Sequence, residues 1–363
     1  MNIAFFGSSI LSAYWNGAAT YYRGIVKALH ERGHRVTFYE PDAFERQQHR
    51  DLDPPPWCKV VVYPNSEDAA LRSIGEARGA DLLIKASGVG VFDEILEAAV
   101  FTQQRPGTLV AFWDVDAPAT LERVKFDPTD PFRPLIPEFD LILTYGGGPP
   151  VITEYLALGA RECVPIYNAL DPETHHRVSP QPRFEADLAF LGNRLPDRET
   201  RVEEFFLRAA EAAPERQFLL GGSGWADKLM PFNVRYLGHV GTTDHNTLNC
   251  SSRAVLNISR ESMARYGYSP ATRVFEAAGA GACLITDEWE GIAEFFEPGE
   301  ELLIARDGMK VAEQLAKLGR KRAHQIGQAA LARALAEHTY ARRVDQLERL
   351  LGARGASSTL VAT

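Results

Sequence analysis

The stretch Tyr268-Ser269-Pro270-Ala271-Thr272-Arg273-Val274-Phe275-Glu276-Ala277-Ala278-Gly279-Ala280-Gly281-Ala282-Cys283-Leu284-Ile285-Thr286-Asp287 decides how this chain reads. Ser269 suits an N-cap and Pro270 the first helical position, so the pattern predicts a helix starting there. Arg273 and Glu276 stand three apart and share one face near its N-terminus. Val274, Phe275 and Ala278 can face a core, and the Ala/Gly run lets the helix lie close to a sheet. A buried strand is expected next, over 282–286. The helix opening offers N–H groups and the positive end of its dipole to a phosphate. An arginine beside it adds charge-assisted hydrogen bonds, and a carboxylate one turn on can accept from a sugar's hydroxyl pair. Together they describe a pocket for a nucleoside diphosphate. Taken alone, an Arg and a Glu at this spacing more often form a solvated helix pair. The order of the surrounding elements decides between the two.

A chain of 363 residues is too long for one ordinary core and predicts two domains. Its net charge of -9 argues against a dedicated nucleic-acid binder, and its apolar fraction is that of a globular protein. Cys58, Cys163, Cys250 and Cys283 are scattered without a CxxC, which predicts reduced structural thiols and a cytoplasmic setting. No apolar run is long enough to span a bilayer, and peripheral membrane contact stays open. The opening Met1-Asn2-Ile3-Ala4-Phe5-Phe6-Gly7 has no basic n-region and reads as a first strand.

Strand and helix then alternate. Residues 3–7 form a strand entering a polar and aromatic loop over 8–17. A helix with Tyr22, Ile25, Val26 and Leu29 on one side follows, and then a strand over 36–39. This β-α-β unit predicts a parallel sheet. After Gly7 the next glycine is Gly17, so the dinucleotide fingerprint is missing. Such a loop at the carboxyl end of a first strand commonly lines a ligand crevice. Further strands are expected over 59–63, 81–86, 108–113, 140–144 and 163–167, with a charged surface excursion over 43–57. The strand over 108–113 runs into Asp114 and Asp116, and the proline-rich segment 120–138 reads as an ordered loop.

The first domain therefore spans 1–168 and an interdomain linker 169–185. There His175 and His176 read as linker histidines, because no third metal ligand stands at a usable spacing. The second domain, 186–338, repeats the alternation with strands over 187–191, 217–220, 234–237, 254–258, 282–286 and 302–304. Helical runs over 310–338 and 340–351 follow, and the small, polar tail 353–363 is expected to be disordered. The fold class is α/β, two Rossmann-like domains facing a central cleft.

At this point the residues resemble a known family. A strand into Gly192-Asn193, a basic residue opening the next helix, a strand into Gly221-Gly222 and Leu237-Gly238-His239-Val240 follow the pattern of the GT-B glycosyltransferases. The signature Arg273-Val274-Phe275-Glu276 with Gly281-Ala282 and Ile285-Thr286 is similar to that of the CgeB-like, spore-maturation-protein-like branch. Arg32-Gly33-His34-Arg35-Val36 matches the family's opening. The resemblance covers nearly the whole chain, more closely over 186–305 than over 1–167.

The resemblance implies a glycosyltransferase that moves a sugar from a nucleoside-diphosphate sugar, UDP-type, to a saccharide or other hydroxyl acceptor. Glu276 would bind the ribose hydroxyls, and Arg198 and Arg273 would lie near the diphosphate, beside the Gly192 turn. The backbone of Gly238, His239 and Val240 would meet the base, and Gly17 would let the first-domain loop approach the phosphates. The last helix, within 339–352, would cross back to the first domain. Retaining members of related branches carry a second Glu eight residues before the ribose Glu. Tyr268 stands there instead, which leaves retaining and inverting chemistry, and the donor sugar, open.

Arginines and helix N–H groups would stabilise the leaving diphosphate without a metal. An inverting reaction needs a base, for which Asp116 is the first candidate and Asp114 the second. Either acid could instead cap the segment that follows it. Tyr14 and Trp15 could wall an acceptor. A nucleotide-sugar 2-epimerase shares the scaffold, and a non-catalytic two-domain binding protein is the other alternative.

Overall fold

The computed structural model describes residues 1–14 and 16–361, except the side chains of Asp197 and of residues 353–361. The chain divides into two compact units, Met1–Asn168 with Tyr340–Thr363, and Ala169–Thr339.

The first unit is built on seven parallel strands: β1 (Asn2–Phe6), β2 (Arg35–Pro41), β3 (Lys59–Tyr63), β4 (Leu82–Ala86), β5 (Leu109–Asp114), β6 (Leu141–Thr144) and β7 (Cys163–Pro165). Their order is β3-β2-β1-β4-β5-β6-β7. The order reverses direction beside β1, whose Phe5 pairs in register with Phe38 of β2 and Ile84 of β4. Strands such as β4 are buried along their whole length, as expected of a parallel sheet covered on both faces.

The helix Tyr340–Val361 belongs to this unit and lies against the helix Ala19–Glu31. A Cβ on Gly24 would sit 2.2 Å from the Tyr340 ring, so only glycine admits this approach. The Arg32–Asp345 ion pair and a His34 Nε2–Glu348 Oε1 contact of 3.1 Å tie the turn after Ala19–Glu31 to the last helix, and Arg343 Nε donates to the Tyr167 carbonyl at 3.2 Å. The backbone of this helix runs as far as Val361.

The second unit carries six parallel strands: β8 (Ala186–Leu191), β9 (Phe218–Gly221), β10 (Val234–Tyr236), β11 (Ser252–Asn257), β12 (Leu284–Asp287) and β13 (Leu303–Ala305). Their order is β10-β9-β8-β11-β12-β13. Each unit is thus a Rossmann-like α/β fold. Residues 169–185 count with the second unit: the Leu170 N–H donates to the His338 carbonyl at 2.7 Å.

Several expectations need correction. The segment read as a loop over 120–138 holds the helix Ala117–Phe126 and a 3-10 turn Arg133–Glu138. The run over 310–338 is two helices, Gly308–Lys317 and Arg320–Glu337, separated at Leu318-Gly319. The helix of the opening stretch is Thr272–Gly279, with Ala271 at the N-cap. Ser269 makes no cap; its hydroxyl donates to the Gly267 carbonyl at 2.9 Å. The cause lies just before, where Gly267 at φ +71 and Tyr268 at φ +45 turn the chain and delay the helix. All four cysteines are free.

Candidate functional site

In the second unit, the loops that follow β8, β9 and β10 are tied to one another through glycines. The Gly192 N–H donates to the Gly221 carbonyl at 2.9 Å, and the Gly222 N–H to the Gly238 carbonyl at 2.7 Å. Gly222 has φ +127, and a Cβ there would lie 2.2 Å from the Gly192 carbonyl oxygen. No other residue type fits that conformation and that contact. Trp225 Nε1 donates to the same Gly192 carbonyl at 2.8 Å, and the Tyr236 hydroxyl to the Gly222 carbonyl at 2.9 Å. His239 is exposed beyond Gly238, while Val240 is buried against the place of a Gly221 Cβ.

Arg198 sits in the first turn of the helix Pro196–Val202. Its Nη1 lies 3.1 Å from where a Gly192 Cβ would be, so Gly192 leaves room for the guanidinium. Arg273, in the first turn of the helix Thr272–Gly279, stands over the Phe190 ring at 5.7 Å from its centroid. Burial pulls the Arg273 pKa down, the nearby Glu276 opposes this and Arg198 adds to it, for a value of about 10. The two arginines thus repel one another in a poorly solvated place, and a polyanion beside them would relieve that cost.

Glu276 follows Arg273 on the same helix. Burial alone would raise its carboxyl pKa. His175, His245 and Arg273, with the Thr272 side chain as hydrogen-bond partner, outweigh burial and hold the pKa below its ordinary value. The result is an ionised, acceptor-ready carboxylate in a sheltered position. His175 Nε2 lies 3.8 Å from Glu276 Oε1. His245, on the helix Thr242–Ser251, has its Nε2 3.3 Å from the Val240 carbonyl oxygen. Burial lowers the His245 pKa, against the pull of Glu276.

The structure therefore brings Arg198, Arg273 and Glu276 together, and links Gly192 and Gly238 through the glycine loops. Sequence reading missed His175 and His245. No spacing signal joins them to Glu276; the packing of three separate segments does. Tyr268, where a second Glu would stand, has its ring against Gly291 and its N–H on the Glu290 carbonyl at 2.6 Å.

In the first unit, Asp114 closes β5 and is 0% exposed. It accepts from Ser87 Oγ at 2.7 Å, Tyr155 Oη at 2.5 Å, Thr120 Oγ1 at 3.1 Å and the Asp116 N–H at 3.0 Å. Burial raises its pKa despite the bonds from Tyr155 and Ser87. Asp116 is half-buried at the N-cap position of Ala117–Phe126, and its side chain makes no capping bond. Gly17 is exposed, with no atom near where a Cβ would be. Tyr14 stacks on His49 at 4.0 Å. Trp15 lies outside the described residues.

Residues 198–349 match a family model described as glycosyl transferase-like. The chain as a whole has the GT-B fold. Among solved structures, it is similar to Anabaena HepE in complex with UDP-glucose, at 15% identity and TM-score 0.69, covering 97% of this chain and 100% of that one. It is similar to sucrose-phosphate synthase from Thermosynechococcus elongatus at 14% identity and TM-score 0.71, covering 98% and 100%. A third is an alpha-glucosyltransferase in complex with UDP-glucose and DNA containing an abasic site, at 12% identity and TM-score 0.70, covering 97% and 99%. At these identities the likeness speaks for the fold alone. A comparison with curated proteins found no match. Among the described residues, no helix is long and apolar enough to cross a membrane.

Proposed function

We propose that this chain is a glycosyltransferase that takes its sugar from a nucleoside-diphosphate donor of the UDP type and passes it to a hydroxyl acceptor, and that it lies in the CgeB-like branch. The observation that carries the reading is the cluster of Arg198, Arg273 and Glu276, two cations and one ionised acceptor at adjoining helix openings. Arg198 and Arg273 hold the diphosphate and offset its growing charge as the bond to the sugar breaks. Glu276 accepts from the ribose hydroxyls. Gly192 keeps space for Arg198, and Gly238, His239 and Val240 present backbone groups to the base. Two of the similar structures contain UDP-glucose, which supports uracil over other bases. Charge compensation in this reading comes from the arginines and needs no metal. Asp116 takes the acceptor's proton if the reaction inverts.

A thermal-shift screen of nucleoside diphosphates and their sugars, followed by an assay of diphosphate release with and without hydroxyl acceptors, tests this. Stabilisation by UDP and acceptor-dependent release are expected. Conversion of the sugar nucleotide into its C2 epimer without any acceptor would indicate 2-epimerase chemistry. Binding without turnover for any acceptor would indicate a binding role.

A further inference from the structure

Three segments of the second unit converge on Glu276. The helix Thr272–Gly279 carries it, the helix Thr242–Ser251 brings His245, and the turn after Asp171 brings His175. That turn is held closely. The His175 N–H donates to the Asp171 carbonyl at 2.9 Å, and Asn246 Nδ2 donates to the Thr174 carbonyl at 2.9 Å. A Cβ on Gly279 would lie 2.5 Å from the His175 carbonyl oxygen and 2.4 Å from Leu170 Cδ1. Gly279 therefore lets the 170–175 backbone rest directly on the helix, one turn beyond Glu276. The His175 residue is only 8% exposed, so its ring is fixed against that helix rather than left in solvent as a linker histidine would be.

We propose that His175 is a positioning residue for donor recognition: it fixes the Glu276 carboxylate in the rotamer that accepts from the ribose hydroxyls. This rests on the reading of Glu276 given above and extends it to a residue outside the recognised motif. The 3.8 Å separation is longer than a hydrogen bond, so His175 steers Oε1 by packing without consuming its acceptor capacity. Both carboxylate oxygens stay available to a diol. A glutamate in so sheltered a place, without the histidine, would lose a neighbour that favours its anionic, oriented form. A Glu side chain has several rotamers, and holding one before the ligand arrives spares that ordering cost on binding.

The test is calorimetric titration of the full chain with UDP and with 2′-deoxy- and 3′-deoxy-UDP, GDP and ADP being run in parallel. Wild-type protein, His175→Ala and His175→Asn are compared. Removing a ribose hydroxyl should weaken wild-type binding about tenfold, the scale of one hydrogen bond to a charged group. His175→Ala should weaken UDP binding by about tenfold and change the deoxy analogue less than about twofold, because the oriented acceptor then has little left to lose. His175→Asn, polar and able to face the carboxylate, should recover part of the UDP affinity, and it guards against a folding defect in the alanine variant. Equal losses for UDP and its deoxy analogues in His175→Ala, with no recovery in His175→Asn, would make His175 structural and overturn the proposal alone. Wild-type binding that ignores both ribose hydroxyls, or no binding of UDP, GDP or ADP, would overturn the Glu276 reading and the proposal with it.

Discussion

The Asp114 carboxylate accepts a 2.5 Å hydrogen bond from the Tyr155 hydroxyl, far along the chain on the helix Gly148–Ala157. With Ser87, Thr120 and the Asp116 N–H as further donors, the end of β5 is tied to the end of β4 and to two helices. Asp114 thus holds the backbone of Asp116 in place through the Asp116 N–H.

The two acids should separate in mutagenesis. Asp114→Ala leaves several buried donors without their acceptor, at a cost on the order of 3 kcal/mol in urea denaturation. Asp116→Asn should keep the stability and the donor affinity within a few fold. It should cut sugar transfer on the order of 100-fold, as expected for loss of a general base. Near-normal turnover in Asp116→Asn would remove it from the chemistry.

Glu276→Ala should weaken binding of the nucleotide-sugar donor by about 2–3 kcal/mol while the melting temperature stays close to wild type. Glu276 is held anionic by the neighbours that outweigh its burial, so the loss should be that of a charged acceptor. Unchanged affinity by calorimetry for every nucleoside diphosphate that the wild type binds would dismiss the assignment.

Arg198→Ala and Arg273→Ala should each weaken UDP by about tenfold or more and uridine far less, since their charge acts on the phosphates. Arg273→Ala also removes a cation whose burial, with Arg198 adding to it, brings the Arg273 pKa down to about 10, so its fold should not suffer. Equal losses for uridine and UDP would mean that these arginines act through folding.

Much of the fold was legible because parallel strands buried on both faces read as apolar runs. Leu82–Ala86 and Leu284–Asp287 have no exposed side and announce themselves by composition. The helix Ala117–Phe126 was missed because Pro118, Glu122, Arg123 and Lys125 give it the composition of a loop. Its apolar side, Leu121 and Val124, is only a narrow stripe. The start of the Thr272–Gly279 helix was misplaced because Ser-Pro mimics a cap; the positive φ of Gly267 and Tyr268 is not written in side-chain polarity. Of the site, Arg273 and Glu276 were readable since three residues on a helix put both on one face. His175 was not, because its partner is supplied by Gly279 allowing a distant turn to settle there.

A last prediction comes from a charge cluster in the first unit. Lys85 is 0% exposed, with Nζ 2.6 Å from Asp93 Oδ1 and 3.9 Å from Glu97 Oε1. One buried cation thus faces two acids, and Asp93 holds it. Glu97 is 3% exposed, and burial, reinforced by the charges of Asp93 and Asp130 and opposed by Lys85 and Arg123, pushes its pKa from 4.5 to about 7. Between those values the folded protein binds a proton that the unfolded chain has released. This contribution to stability is therefore complete below about pH 4.5 and is lost as the pH rises through about 7. The loss is on the order of 3 kcal/mol from a shift of this size. Glu97→Gln fixes the neutral form and removes the dependence. Urea denaturation of both proteins at pH 5 and pH 8 should show wild type losing stability relative to Glu97→Gln by roughly 2–3 kcal/mol across that interval. A difference that stays constant between the two pH values would mean that Lys85 keeps Glu97 ionised throughout.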